Sequence, residues 1–308
     1  MDIFLQQVIN GLTLGSVYAI VALGYTMVYG IIQLINFAHG EVVMIGAMVA
    51  FTVITWLAAN TTLPPLVIVL AGAGAAIPAC MLVGYALERL DYRPLRHAPR
   101  LAPLITAIGA SIVLQHVAMM VWSRNPLAFP QIIPNPIFHV AGATITVLQI
   151  VIVATSIIMM AGLTLIVYRT KLGVAMRATS ENPHIAGLMG VDINRVIAAT
   201  FLLGAALAAV AGIMVGTYYG IAHYTMGSLL GLKAFAAAVL GGIGNLAGAM
   251  LGGMLLGLVE ALGTGYIGDL TNNVFGSNYQ DVFAFMVLIA VLVFRPSGLL
   301  GERVGDRA

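Results

Sequence analysis

Charged residues and cysteines are scarce in this chain of 308 residues. Only 8% of the residues are Asp, Glu, Lys or Arg, whereas a soluble domain contains about 25%. Hydrophobic residues make up 61%, more than a water-exposed fold would carry. The single cysteine, Cys80, excludes a disulfide framework and a thiolate zinc site. The composition therefore predicts an integral membrane protein that crosses the bilayer several times.

Motifs typical of enzymes and of nucleic-acid-binding proteins are also missing. No Gly-Lys dipeptide occurs, so the chain has no phosphate-binding P-loop, and it has no G-x-S-x-G or H-E-x-x-H motif. The 13 basic and 11 acidic residues are too dilute and too balanced for a nucleic-acid surface. His39 and Glu41 are only two ligands on one turn, too few for a metal site. An enzyme is therefore disfavoured.

Continuous apolar segments predict an all-α transmembrane bundle, and their lack of alternation excludes a transmembrane β-barrel. We expect about nine spans, with eight to ten possible, because a bilayer crossing needs about 20 apolar residues. The predicted spans are 11–31, 41–58, 65–88, 103–122, 146–168, 196–219, 229–244, 247–265 and 281–295. The Gly-rich pair 229–244 and 247–265 could instead be one kinked or re-entrant element. Residues 1–308 are expected to form a single transmembrane domain.

The basic residues predict the orientation of the spans. They cluster in three segments, which are the loop 89–102 with Arg89, Arg93, Arg96 and Arg100, the loop 169–195 with Arg169, Lys171, Arg177 and Arg195, and the tail with Arg295, Arg303 and Arg307. The loops between these segments, 123–145 and 266–280, contain a single basic residue, Arg124. The three basic segments are therefore predicted to be cytoplasmic, and the loops 123–145 and 266–280 to face outward. Nine crossings then place the N-terminus outside and the C-terminus in the cytoplasm. The alternative is eight crossings with both ends inside, with one early span re-entrant. No Lys or Arg precedes Arg89, so we expect no cleavable signal peptide.

Small residues recur at four-residue spacing in several spans. These stripes are Gly204, Ala208, Gly212 and Gly216; Gly244, Gly248 and Gly252; Gly253, Gly257, Ala261 and Gly265; and Gly11, Gly15 and Ala19. Small residues let helix backbones approach closely in lipid, so the stripes predict helix packing. The functional alternative is that these helices slide or bend during transport.

The cytoplasmic loop 169–195 contains the pattern of a short amphipathic helix. Asn182 is a good N-cap, and Pro183 suits the first helical position. Ile185, Leu188 and Met189 recur at i, i+3 and i+4 and form a small apolar face. Gly190 suits a left-handed stop, and Asp192 can cap the following helix. This helix either rests on lipid headgroups or docks in a groove of a cytoplasmic partner.

A few polar residues interrupt the apolar segments. Asn36, Phe37, His39, Gly40 and Glu41 lie between the first two spans. This break is either an interfacial turn, in which His39 and Glu41 satisfy each other and Asn36 caps the next helix, or part of a translocation path or gate.

Two further charges fall within neighbouring predicted spans, Lys233 near the end of one and Glu260 in the next. Lys233 either snorkels to the surface or pairs with Glu260. Both residues are also candidates for the translocation path. Glu41, Lys233 and Glu260 together motivate an alternative function, a stand-alone ion-coupled carrier or facilitator.

Four segments resemble the LivH-type permease subunit of bacterial branched-chain amino acid ABC importers. They are Ala178–Val191, Asn10–Gly24 together with Asn36–Glu41, Lys233–Gly244, and Phe294–Gly301. The resemblance extends over essentially the whole chain. It leaves the substrate open, because related importers take up other amino acids, amides or urea.

The resemblance implies a subunit of an importer in the bacterial inner membrane. Its expected partners are a second permease, two cytoplasmic ATPase subunits that use ATP and Mg²⁺, a periplasmic binding protein and membrane lipid; this chain itself would bind no cofactor, no metal and no nucleic acid. The residues expected to couple it to the ATPase are Glu181, Asn182, Pro183, His184, Ile185, Ala186, Gly187, Leu188, Met189 and Gly190. ATP hydrolysis by the partners would then explain the absence of a P-loop here.

Overall fold

A computed structural model describes residues 2–96, 98–99, 101–140, 142–270 and 279–301. Arg100, Arg303, Arg307 and the part of the predicted outer loop at 271–278 lie outside the described residues. The described helices are α1 (Asp2–Ile32), α2 (His39–Asn60), α3 (Pro65–Ala86), a π-helix (Leu87–Tyr92), α4 (Leu101–Val121), α5 (Val147–Arg169), α6 (Lys171–Glu181), α7 (Pro183–Leu188), α8 (Ile193–Tyr219), α9 (Met226–Gly241), α10 (Leu246–Leu270) and α11 (Gln280–Phe294).

Seven of the described helices are long and apolar enough to cross a membrane, namely α1, α2, α3 with its π-helical extension, α4, α5, α8 and α10. The apolar helices α9 and α11 are shorter, at 16 and 15 residues. Each of the nine predicted spans overlaps one of these nine helices. The chain is therefore a nearly all-α, multi-pass membrane protein.

Four short strands among the described residues depart from the all-α prediction. In the predicted loop 123–145, β2 (Ile137–Val140) pairs antiparallel with β3 (Ala143–Thr146), with Ile137 opposite Thr146. The two-residue strands β1 (Leu127–Ala128) and β4 (Ile221–Ala222) also pair antiparallel. These segments are too short to give a readable alternating pattern, which is why the sequence did not reveal them.

The two predicted cytoplasmic loops also contain more helix than expected. The loop 169–195 holds α6 before the predicted short helix α7, so a single helix starting after Asn182 was an incomplete prediction. Leu87–Tyr92 continues α3 as a π-helix. π-Helical turns are rare and occur frequently at functional sites.

The described residues divide into two compact units. One comprises the described parts of Met1–Thr26, Asn135–Ala161 and Lys233–Ala308, and the other those of Met27–Pro134 and Gly162–Leu232. Glycine contacts hold the first unit together. A Cβ on Gly257 of α10 would lie 2.2 Å from the backbone nitrogen of Gly15 in α1, and one on Gly252 would lie 2.1 Å from the carbonyl oxygen of Ala237 in α9. These helices therefore pack backbone to backbone, as the stripes predicted.

The second unit uses the same kind of contact. A Cβ on Gly212 of α8 would lie 2.1 Å from the carbonyl oxygen of Val43 in α2, and one on Gly216 would lie 2.7 Å from the Phe129 ring. Gly204 is buried in α8 as well. A buried apolar cluster of this unit contains Val28, Tyr92, Ala107, Ile197 and Phe201.

Gly244 was wrongly predicted to belong to a packing stripe. Helix α9 ends at Gly241, and Gly242 and Gly244 have φ angles of +105° and +98° in the turn before α10. Apart from Gly244 and its two chain neighbours, no described atom lies within 4 Å of the position that a Cβ on Gly244 would take. Glycine is required here for its left-handed backbone conformation. Gly248 does pack, since its Cβ would lie 2.4 Å from the carbonyl oxygen of Gly241.

Candidate coupling and translocation sites

The short helix α7 begins and ends as the sequence predicted. The Asn182 side chain accepts a hydrogen bond of 3.1 Å from the backbone N–H of Ile185, and Pro183 occupies the first position. Gly190 has a φ angle of +89° and stops the turn. Asp192 then caps α8 by accepting a hydrogen bond of 3.2 Å from the backbone N–H of Arg195. These caps stabilise the first turn of α7 and the first turn of α8.

The surface of α7 is almost fully exposed, and part of it is apolar. Ile185, Leu188 and Met189 are 55%, 74% and 80% exposed. Of the ten residues predicted to couple the chain to an ATPase, only Ala186 is buried. Three exposed apolar side chains on two turns of backbone form a small surface that a partner or lipid can cover. We refer to Ile185, Leu188 and Met189 as the α7 face.

A polar network ties the first turn of α8, which directly follows α7, to the end of α3. The Arg96 guanidinium donates a hydrogen bond of 2.6 Å to the Asn194 side-chain oxygen. It also donates to the buried carboxylate of Glu88, which Arg93 approaches at 3.7 Å. Burial lowers the pKa of Arg96, and the charge of Glu88 opposes this effect. The sequence marked Glu88 only by its place at the end of a span.

The π-helix in turn contacts the break between α1 and α2. The Tyr92 hydroxyl lies 3.1 Å from the carbonyl oxygen of Ile35 and 3.4 Å from the side-chain oxygen of Asn36. The Tyr92 ring packs against Phe201, with 5.1 Å between ring centroids. Asn36 also accepts a hydrogen bond of 3.1 Å from the backbone N–H of Ala38, so it stabilises the entry to α2. Phe37 packs against the same apolar cluster.

Glu41 lies fully buried in the first turn of α2. One of its carboxylate oxygens, Oε1, accepts hydrogen bonds from Gln115 at 2.7 Å and from Ser111 at 3.1 Å, both in α4. The sequence suggested His39 as its partner and did not identify these two residues. Ser111 and Gln115 are four residues apart, so they share one helix face; this spacing was the available signal. His39, two residues before Glu41 in the sequence, is also buried.

Lys233 forms an ion pair rather than snorkelling to the surface. Its ammonium Nζ lies 2.6 Å from the Glu260 carboxylate and 2.5 Å from that of Asp281. Lys233 and Glu260 are both buried. Tyr18 and Gln280 also donate hydrogen bonds to Glu260. The sequence placed Lys233 and Glu260 in neighbouring spans but gave no sign of Tyr18 or Asp281.

Comparison with known proteins finds relatives that match nearly the whole chain. Residues 7–292 match a family described as the permease component of the branched-chain amino acid transport system. The chain is 49% identical over 303 residues to the high-affinity branched-chain amino acid transport system permease protein BraD of Pseudomonas aeruginosa, covering 97% of this chain and 96% of that protein.

Two further relatives carry similar names. The permease protein LivH of the Escherichia coli high-affinity branched-chain amino acid transport system is 44% identical over 303 residues, with 97% and 96% coverage. The probable branched-chain amino acid transport permease protein LivH of Methanocaldococcus jannaschii is 27% identical over 306 residues, with 97% and 94% coverage. No solved structure matches the chain.

Proposed function

We infer the function of this chain from the family to which it belongs, the permease components of branched-chain amino acid transport systems. We propose that it forms half of the path by which branched-chain or closely related amino acids cross the bacterial inner membrane. A periplasmic binding protein delivers the substrate, and a second permease subunit supplies the other half of the path. The whole chain, 1–308, acts as one permease domain.

The proposed topology has nine crossings, formed by α1–α5 and α8–α11, with a periplasmic N-terminus and a cytoplasmic C-terminus. The distribution of cations supports it, since Arg89, Arg93 and Arg96 follow the third crossing and Arg169, Lys171, Arg177 and Arg195 follow the fifth. This topology places α6 and α7 in the cytoplasm. The predicted outer segment between α4 and α5 then contains the β2–β3 hairpin.

The energy for transport comes from two cytoplasmic ATPase subunits, which bind ATP and Mg²⁺. This chain is not the enzyme, since its sequence has no P-loop to hold the phosphates of ATP. The observation that carries the proposal is the α7 face, three apolar side chains exposed on a capped helix in a segment predicted to be cytoplasmic. An ATPase groove that covers this face moves α7 during hydrolysis and thereby switches the access of the path from one side to the other.

A stand-alone ion-coupled carrier receives less support. It would use Glu41, Lys233 and Glu260 as ion-binding groups, but Lys233 and Glu260 already neutralise each other at 2.6 Å. The relatives are named as permease proteins of transport systems, which also favours a subunit over an independent carrier.

Reconstitution in liposomes tests the proposal. The chain alone is compared with the complex of both permeases, both ATPases and the binding protein, and uptake of radiolabelled leucine is measured. We expect uptake only with the complete complex, and only when ATP is supplied on the side of the membrane where the ATPase subunits lie. Uptake by the chain alone, driven by a proton or sodium gradient, would contradict the proposal and favour the carrier.

A further inference from the structure

Glu41 differs in its charge partners from Glu88 and Glu260, the other buried glutamates among the described residues. Glu88 faces Arg93 and Arg96, and Glu260 faces Lys233. Within the described part of the chain, Glu41 has no cation beside it, and both of its hydrogen bonds end on Oε1. Its second oxygen, Oε2, is buried without a hydrogen-bond partner. Oε2 of Glu88 and Oε2 of Glu260 are also buried without a hydrogen-bond partner, but each of those carboxylates faces a cation. A buried carboxylate in an apolar span that lacks both is costly and therefore points to a function.

The unpartnered oxygen faces the contact between two helix starts. Helices α2 and α9 begin at His39 and Met226, and their first turns touch through Gly40 and Gly227. A Cβ on Gly227 would lie 2.4 Å from the carbonyl oxygen of Gly40 and 2.7 Å from Oε2 of Glu41. A Cβ on Gly40 would lie 2.3 Å from the carbonyl oxygen of Gly227. Only a pair of glycines allows this approach.

Both helix starts follow short non-helical segments. Residues 33–38 precede α2, and Gln33 there has a positive φ of 51°. A short turn, in which His223 contacts Thr225, precedes α9. A helix can pivot at such breaks without disturbing its own backbone hydrogen bonds. A movement of the first turns of α2 and α9 away from each other would therefore open the glycine contact.

The charge of Glu41 suits a cationic group. Glu41 lies in the first turn of α2, where the partial positive charge of the helix start acts on its carboxyl group. An ammonium group offers three donors and a positive charge, and Oε2 is the acceptor that lacks a donor here. We propose that Glu41 binds the α-ammonium group of the amino acid in transit, and that the Gly40–Gly227 contact is the closed gate that covers this site.

This proposal rests on the proposed function and names the substrate group that Glu41 recognises. Its first test uses the complete complex in liposomes with a Glu41→Gln substitution, which preserves the size of the side chain and an acceptor for Ser111 and Gln115. We expect leucine uptake to fall at least about tenfold, the loss typical of one charge-assisted hydrogen bond. ATP hydrolysis stimulated by the loaded binding protein should persist, because α7 is unchanged.

The outcomes are separable. Wild-type complex without ATP-dependent uptake would contradict the proposed function itself. If the wild-type complex transports leucine and the Glu41→Gln complex takes up as much leucine per ATP hydrolysed, only the assignment of Glu41 is overturned. The conservative Glu41→Asp variant should recover part of the lost uptake, whereas a purely structural role would make this shorter side chain at least as damaging as Gln.

The second test measures the gate directly and does not require transport. A Glu41→Cys variant in a Cys80→Ala background is treated with 2-aminoethyl methanethiosulfonate, an ammonium-bearing thiol reagent, in lipid nanodiscs. Adding Gly227→Ala should force the contact apart and raise the modification rate at position 41 at least about tenfold. The control Gly74→Ala, where no described atom beyond the local helix backbone lies within 4 Å of the added Cβ, should leave the rate unchanged. Equal rates with Gly227→Ala and Gly74→Ala would overturn the gate.

Discussion

Lys233 and Glu260 are 27 residues apart in the sequence, yet the ammonium of one lies 2.6 Å from the carboxylate of the other inside the same compact unit. Asp281 adds a second carboxylate at 2.5 Å and is the most exposed of the three, with 41% of its side chain accessible. The pair connects α9 to α10, and Asp281 extends it to α11. Removing Lys233 therefore leaves the Glu260 carboxylate without a cation, whereas removing the charge of Glu260 leaves Lys233 paired with Asp281.

We expect Lys233→Met to destabilise the protein more than Glu260→Gln. Removing Lys233 leaves Glu260 buried without a cation, a change that typically costs about 3–5 kcal/mol. Glu260→Gln leaves Lys233 paired with Asp281, so its cost should be nearer about 1–2 kcal/mol. The free energy of unfolding in mixed micelles measures both, with Asp281→Asn as the control at the exposed end. A larger loss for Glu260→Gln than for Lys233→Met would contradict this interpretation.

The Tyr92 hydroxyl offers a second test, because it joins the π-helix to the α1–α2 break. Tyr92→Phe removes the contacts to Ile35 and Asn36 but retains the ring packed against Phe201. We expect a loss of about 1 kcal/mol in unfolding free energy. Tyr92→Leu should cost about 3 kcal/mol or more, since the ring packing is lost too. If the two variants lose the same free energy of unfolding, the hydroxyl accounts for the whole contribution of Tyr92 and the ring packing adds nothing.

The glycine contacts predict opposite effects for the same substitution at two positions. Gly257→Ala places a methyl group 2.2 Å from the backbone of Gly15, which cannot move aside as a side chain would. We expect a loss of about 1–3 kcal/mol. Gly74→Ala meets no atom within 4 Å and should gain about 0.5–1 kcal/mol from its better helix propensity. Thermal unfolding of the two variants in detergent compares them directly, and a stabilised Gly257→Ala protein would refute the packing role.

The helices were predictable because apolar runs alternate with polar or Pro-rich stretches along the chain. Even the short helices α9 and α11 fall on predicted segments. Helix α6 was not predicted, because Lys171–Glu181 is polar and lies between two spans, where apolar continuity gives no signal. The π-helix depends on a local change in backbone hydrogen bonding that residue type does not encode.

The candidate sites were only half predictable, for a related reason. The caps of α7 are local, so Asn182 and Gly190 could be identified from neighbouring residues alone. The partners of Glu41 are not local, since Ser111 and Gln115 lie 70 and 74 residues away. Gly244 shows the converse error, because four-residue spacing indicates a packing stripe only where the helix continues, and α9 ends at Gly241.

The cap of α7 should affect coupling more than global stability. Asn182→Ala removes the hydrogen bond to the backbone N–H of Ile185 and should cost about 1 kcal/mol. Because α7 is short and exposed, this cost should appear as a disordered α7 and reduced ATP-driven uptake, with the unfolding temperature unchanged. Asn182→Asp keeps the acceptor and should transport normally. Hydrogen exchange of residues 183–190 reports the local effect, and protection unchanged by Asn182→Ala would contradict it.

In the proposed mechanism the work of transport enters through the α7 face, and the decisive variant is Leu188→Asp in the purified, reconstituted complex. Leu188 is 74% exposed, so the substitution should leave folding intact, and Val174→Asp on the neighbouring helix α6, at a site 55% exposed, is the matched control. We expect Leu188→Asp to reduce ATP-dependent leucine uptake at least about tenfold while Val174→Asp retains most of it. Full uptake and full substrate-stimulated ATP hydrolysis by an assembled Leu188→Asp complex would contradict the claim.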